Sequence, residues 1–200
     1  MTDQLPGDTG DTVAPRGRSS GSRKSSTRNL VEWVAVIVGA VIVALLIKTF
    51  VVQAFRIPSE SMVPTLEVGD RVLVNKLSYD AHDLNRGDVV VFDRPSGLPA
   101  GPDDPKELIK RVIGLPGDTI VAKDGSIYVD DQRLDEPYLS DAASTYNLDE
   151  PITVPEGQVW VMGDNRTNSE DSRSFGPIDA DTIVGRAFMI MWPPGRIGAI

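Results

Sequence analysis

The sequence predicts a mainly β domain, built as antiparallel coiled sheets or a partly open barrel and preceded by one transmembrane helix. Three observations carry this expectation. An apolar run near the N-terminus has the length of a bilayer span, short segments rich in β-branched residues follow it, and Gly-Asp, Pro-Gly and Asp-Gly pairs punctuate those segments.

Residues 1–29 read as a disordered tail, because a stretch with almost no apolar residue and no period cannot offset its chain entropy by burial. Residues 33–47 (WVAVIVGAVIVALLI) are uncharged and mostly aliphatic, and the run resumes after Lys48 and Thr49 to reach Val52. A helix over Trp33–Val52 would be roughly 30 Å long, the thickness of the hydrocarbon core. Trp33 suits one interface, and Lys48 can snorkel to the other. A cleaved signal peptide is the competing reading, with Val52-Gln53-Ala54 supplying small residues for cleavage. The length of the run favours an anchor, set at residues 30–52. The five basic and three acidic residues of 1–29, against 14 basic and 25 acidic in 53–200, place the tail in the cytoplasm and residues 53–200 outside it.

Beyond the anchor the period is two. Strands are expected in 71–77, 88–92, 107–114, 119–122, 126–130, 158–163 and 182–192. Lys123-Asp124-Gly125 signals a hairpin. Residues 94–106 form a loop, and the polar stretch 131–156 reads as a variable insertion or small cap. No helical period of useful length appears after residue 66, and there is no internal repeat.

Composition narrows the chemistry. The chain has no cysteine, and His82 is its only histidine, so two-histidine zinc sites, the H-E-x-x-H pattern and cysteine nucleophiles are excluded. His82 lies in a polar stretch and is expected to be an exposed structural residue. The acidity of 53–200 argues against nucleic acid as a partner. Arg166 breaks the alternating ligand pattern that a calcium loop would need at Asp164 to Asn168. No metal or cofactor is expected.

Three motifs remain. Pro58-Ser59-Glu60-Ser61-Met62-Val63-Pro64 is a stiff, non-helical stretch with two hydroxyls two residues apart; an extended backbone points them the same way. By itself it could equally be a serine-rich turn. Leu108-Ile109-Lys110-Arg111-Val112 sets Lys110 between two aliphatic residues on one strand face. Burial there would favour the neutral amine that a base requires; half neutrality at pH 7 needs a shift of about 3.4 units, roughly 4.6 kcal/mol. An edge strand with a snorkelling lysine gives the same pattern. Gly163-Asp164-Asn165-Arg166-Thr167-Asn168-Ser169-Glu170-Asp171-Ser172-Arg173 is a long polar loop after a strand, in which Asp171 and Arg173 can pair.

Taken together, in this order and wording, these motifs closely resemble the bacterial type I signal peptidases (leader peptidases), membrane-bound Ser-Lys proteases of peptidase family S26. The resemblance covers about residues 31–200. It rests on PSESMVPTL, GDVVVF with KRVIGLPGD, GDNRTNSEDSRSFG, and the single anchor before them. It implies that Ser61 is the nucleophile and Lys110 the general base. Ser59 would join the backbone N–H of Ser61 in the oxyanion hole. Ser169 would orient the lysine, Asp171 and Arg173 would form a supporting ion pair, and Gly163 would start their loop. Substrate is implied to dock as an extended chain along Ile57, Pro58, Met62 and the strand Asp88, Val89, Val90, Val91, Phe92. One position departs from the pattern: Glu60 stands where many relatives have Gly.

The implied reaction is cleavage of signal peptides from exported preproteins after small residues at −1 and −3, with no cofactor. The implied setting is the bacterial cytoplasmic membrane, with a single pass, preproteins and the lipid bilayer as partners, and a monomeric enzyme. A self-cleaving repressor built on a Ser-Lys pair would need an N-terminal DNA-binding domain where this chain has a tail and an apolar run. A non-enzymatic β domain would need a broken catalytic position. A penicillin-binding enzyme would need S-x-x-K, which is absent.

Overall fold

The computed structural model describes residues 24–200 except 82, 100, 103, 141, 142, 147 and 149, and omits the side chains of 24–28, 46–50, 80 and 81. The expected tail lies outside the described residues up to position 23, as does His82. The chain divides into two units, 1–43 and 44–200.

Helix α1 covers Lys24–Phe50. Its described side chains, Trp33, Ile37 and Ile42 among them, are exposed along the whole length from Asn29 to Leu45. Among the described residues no helix is long and apolar enough to cross a membrane. The run that suggests a span, Trp33–Val52, includes residues 46–50, whose side chains are not described. Val52 itself is already strand.

The second unit is mainly β, and all of its strand pairs are antiparallel. Its strands are β1 Val52–Arg56, β2 Arg71–Asn75, β3 Val89–Asp93, β4 Glu107–Gly114, β5 Thr119–Lys123, β6 Ser126–Val129, β7 Gln132–Arg133, β8 Ile152–Thr153, β9 Gln158–Met162, β10 Ile178–Asp179, β11 Ile183–Trp192 and β12 Gly198–Ala199. The larger sheet runs β1-β2-β11-β3-β4-β9-β10, with β12 beside β11. Breaks in register where β11 meets β2 and β3, and where β4 meets β9, add the local twist that curls an antiparallel sheet into a half-barrel. Helices in this unit are single turns, such as α2 (Ser78–Ala81) and α3 (Ser172–Phe175).

The smaller sheet runs β7-β6-β5-β8. Its centre is the hairpin of β5 and β6, in which Lys123 pairs with Ser126 across Asp124-Gly125. Both turn residues have positive φ, 53° and 76°, the geometry that a two-residue turn matched to strand twist requires. Strands β7 and β8 come from 131–156, so that stretch completes a sheet; pairs of two-residue strands leave no alternation in the sequence to read.

Three cores follow from side-chain alternation. Val89 and Val91 of β3 enter a core with Ile57, Met62, Leu66, Val72 and Val74. Val90 and Phe92 point the other way, toward Val112, Val159 and Val161. The smaller sheet packs Ile120, Ile127 and Val129 against Ile113, Trp160 and Met162. Strand β3 is therefore buried on both faces and bonded on both edges, to β11 and β4. A continuous apolar run such as VVVF is what such a strand requires. Phe92→Ala should accordingly lower the unfolding free energy by about 3–5 kcal/mol in a denaturant titration, whereas a Phe on an open docking surface would change it by under about 0.5 kcal/mol.

Candidate active site

The segment after β1 brings Ser59 and Ser61 beside Lys110 of β4. It is pinned at both ends by apolar burial, with Ile57 2% and Met62 0% exposed. Ser59 Oγ lies 3.4 Å from Ser61 Oγ, so the two hydroxyls face one another across the exposed Glu60. Lys110 reaches the same point from β4: its Nζ donates to Ser61 Oγ at 2.8 Å, and the residue is 4% exposed. Leu108 and Val112, its neighbours on that side of the strand, pack into the core of Val90 and Phe92.

Burial lowers the Lys110 ammonium from 10.5 to about 8. Asp171, Glu170 and Asp164 pull in the other direction, and Arg173 adds slightly to the lowering. A hydroxyl bonded to an amine that is neutral in a useful fraction of molecules can give up its proton, and a serine needs this before it attacks a carbonyl.

The loop after β9 holds the serine segment in place. Asn165 N–H donates to Ser61 O at 3.0 Å, and Asn165 Nδ2 donates to Glu60 O at 3.1 Å. Gly163 lies beneath, where a Cβ would come within 2.4 Å of Ser61 O and 2.2 Å of Ser169 Oγ. Only a residue without a side chain allows the loop and the serine backbone to approach this closely. Asp171 accepts from Gly163 N at 2.9 Å and from Arg173 Nε and Nη2 at 2.8 Å each. Burial alone would raise the Asp171 carboxyl, but the hydrogen bonds and charge of Arg173, with the Gly163 N–H, hold it below its ordinary range.

A second buried pair ties the loop to β4. Arg111, next to Lys110, donates to Asp164 at 2.9 and 2.7 Å, and Thr65 Oγ1 donates to the same carboxylate at 2.5 Å. The sequence places Arg111 beside Lys110 and Asp164 beside Gly163, but nothing in it pairs residues 53 positions apart. Arg166 is likewise buried, bonded to Gly163 O at 3.1 Å and to Glu136.

Among the described residues no hydrogen bond joins Ser169 to Lys110; the Ser169 Oγ is buried against Gly163 and helps hold the Asp171 carboxyl below its ordinary range. Glu170, the next residue, lines the cavity instead. Nor does the strand Val89–Phe92 offer an edge to an extended chain, since β4 and β11 occupy both of its edges. Asp88 is buried too, accepting from Tyr79 Oη at 3.1 Å and pairing with Arg186 at 3.0 Å. Ile57 and Met62 are core residues. Of the residues expected to bind substrate, Pro58 alone lines the cavity beside the Ser61–Lys110 pair, which has a volume of about 450 Å³.

An open edge does exist on the next strand. Among the described residues, Glu107–Lys110 of β4 pair with β3 only, and β9 takes up the other edge from Arg111 onward. Leu108 and Lys110 of this stretch face the cavity together with Pro58, Ser61, Arg94 and Glu170.

Comparison with known proteins identifies the family. Residues 30–192 match the family described as signal peptidase, peptidase S26. Probable signal peptidase I-2 of Synechocystis sp. is 44% identical over 163 residues, covering 82% of this chain and 73% of the relative. Signal peptidase I of Leptolyngbya laminosa is 40% identical over 187 residues, 93% of this chain and 91% of the relative. Signal peptidase IB of Staphylococcus aureus is 37% identical, covering 83% and 91%. A crystal structure of a signal peptidase I from Enterococcus faecalis aligns at a TM-score of 0.42 and 30% identity, over 52% of this chain and 97% of that one. The chain belongs to the signal peptidase family, peptidase S26.

Proposed function

We propose that the chain is a membrane-anchored serine endopeptidase that removes signal peptides through a Ser61–Lys110 dyad. The observation that carries this reading is the 2.8 Å bond between a buried amine and the Ser61 hydroxyl. Lys110 takes the Ser61 proton, and Oγ attacks the scissile carbonyl. Ser59 and the Ser61 N–H stabilise the oxyanion. The amine then protonates the leaving nitrogen and activates the water that releases the acyl group.

The open edge of β4 supports an extended substrate. A chain added there would present alternate side chains to the same face, so positions −1 and −3 enter the enzyme together and −2 does not. Helix α1 supports the anchor: a helix with aliphatic side chains exposed on every side needs an apolar surrounding. Cytoplasmic residues before it and a catalytic unit outside follow from the charge asymmetry.

Ser61→Ala and Lys110→Ala should each reduce cleavage of a preprotein in detergent by at least about a thousandfold, measured with N-terminal sequencing of the product. The pH profile follows from the sign of the Lys110 shift. Below about pH 8 the amine is protonated, so kcat/KM should fall roughly tenfold per unit on acidification and level off above that value. A profile flat from pH 5 to 9 would sink the dyad. Gly163→Ala must move either Ser61 or Ser169; kcat should drop by about a hundredfold, with KM much less affected.

A further inference from the structure

We infer that Glu136 and Tyr138, which reach in from the stretch that completes the smaller sheet, position the Ser61–Lys110 pair for catalysis. The inference rests on the endopeptidase reading above. Three arginines of β4 and the loop after β9, Arg111 and Arg166 buried and Arg173 half-buried, are each paired with one carboxylate. Asp164 answers Arg111 and Asp171 answers Arg173, both from within the catalytic loop itself. Arg166 is answered by Glu136, the one carboxylate of the three that comes from elsewhere in the chain.

Glu136 accepts from both terminal nitrogens of Arg166, at 3.0 Å from Nη1 and more closely from Nη2. The Arg166 side chain is 0% exposed and that of Glu136 9%. Arg166 passes the restraint on. Its Nε donates to Gly163 O at 3.1 Å, and its own carbonyl accepts from Arg173 Nη1 at 2.6 Å. Gly163 lies under Ser61 O, and Arg173 holds Asp171. Burial opposes the charge on Arg166, but the bonds and charge of Glu136 outweigh it and keep the guanidinium protonated.

Two residues along, Tyr138 contacts a second arginine. Its Oη donates to Glu136 Oε1 at 2.7 Å, and its ring lies 3.9 Å from the Arg111 guanidinium. Arg111 is the neighbour of Lys110 on β4 and holds Asp164. One short segment therefore touches the arginine beside the base and the arginine inside the loop that carries the nucleophile's backbone. Removing the Glu136 charge leaves Arg166 buried and unpaired, which a guanidinium relieves by turning toward water. The loop would loosen at Gly163, Ser61 would shift from Lys110, and water would reach the amine.

The test is steady-state cleavage of a preprotein by the full chain in detergent, with thermal melts and circular dichroism as the check on folding. Glu136→Gln and Glu136→Asp should each lower kcat by about 10- to 100-fold with KM within about threefold of wild type. The acid limb of their pH profile should move to higher pH, because burial is what lowers the Lys110 pKa against Asp171, Glu170 and Asp164. Tyr138→Phe keeps the ring over Arg111, loses the bond to Glu136 and should show a smaller kcat loss of the same kind. Glu136→Gln combined with Arg166→Gln should be no worse than the worse single variant, since both break one link. Folded Glu136→Gln or Glu136→Asp protein with kcat within twofold of wild type and an unmoved pH profile overturns the inference, as do losses that multiply in the double variant. If Glu136→Gln does not fold, Glu136→Asp and Tyr138→Phe decide by the same readouts. A wild type that cleaves no preprotein overturns the endopeptidase reading and this inference with it; an active wild type with unaffected variants overturns this inference alone.

Discussion

A lysine amine withdrawn from water and set against a serine hydroxyl is the constraint on which the second unit depends. Moving the Lys110 pKa to about 8 costs on the order of 3 kcal/mol at neutral pH, because the folded chain must either bury a charge or give up a proton. That cost falls as pH rises from about 8 toward 10.5, where the unfolded chain also loses the proton. Only a well-packed surrounding can sustain it, and the two-sided burial of β3 beside β4 supplies one.

The polar loop does a different job. It carries Asp164, Arg166, Asp171 and Arg173 into a largely buried place, and each of these is paired: Asp164 with Arg111 of β4, Arg166 with Glu136, Arg173 with Asp171. Buried pairs of this kind add little net stability but lose several kcal/mol when one partner is removed. They therefore fix geometry more than they hold the fold together. The same loop fixes Ser61 through backbone groups, with the Asn165 N–H on its carbonyl and Gly163 beneath it.

Much of this was legible beforehand, and the gaps have physical causes. The long strands were readable because alternation over β4 or β11 leaves a period in the sequence, and Asp124-Gly125 was readable because few dipeptides accept that turn. Ser61 and Lys110 stood out through motif wording that local physics alone left ambiguous. Strand β1 was hidden because Val52 continues an apolar run, and helix and strand cannot be told apart there by periodicity. An apolar run such as Val89–Phe92 reports burial and not which edge of the strand is free. The Arg111–Asp164 and Arg166–Glu136 pairs were invisible, since ion pairs between distant segments depend on the fold. Ser169, Glu170 and Asp171 stand side by side in the sequence, and only the turn of the loop decides which way each one faces.

The four residues of β4 that are paired on one edge only have a consequence for solubility as well as for chemistry. A strand edge with free N–H and C=O groups accepts any extended chain, including a neighbouring copy or an unfolded segment. Here the open stretch is short. It begins with the charged Glu107, and ends where β9 takes over at Arg111. An opening this brief can take a few residues of a substrate held in place by other means, yet gives too little backbone for sheets to stack edge to edge. The length of that gap thus sets how promiscuous the edge can be, and lengthening it by weakening the β4–β9 pairing would trade selectivity for self-association.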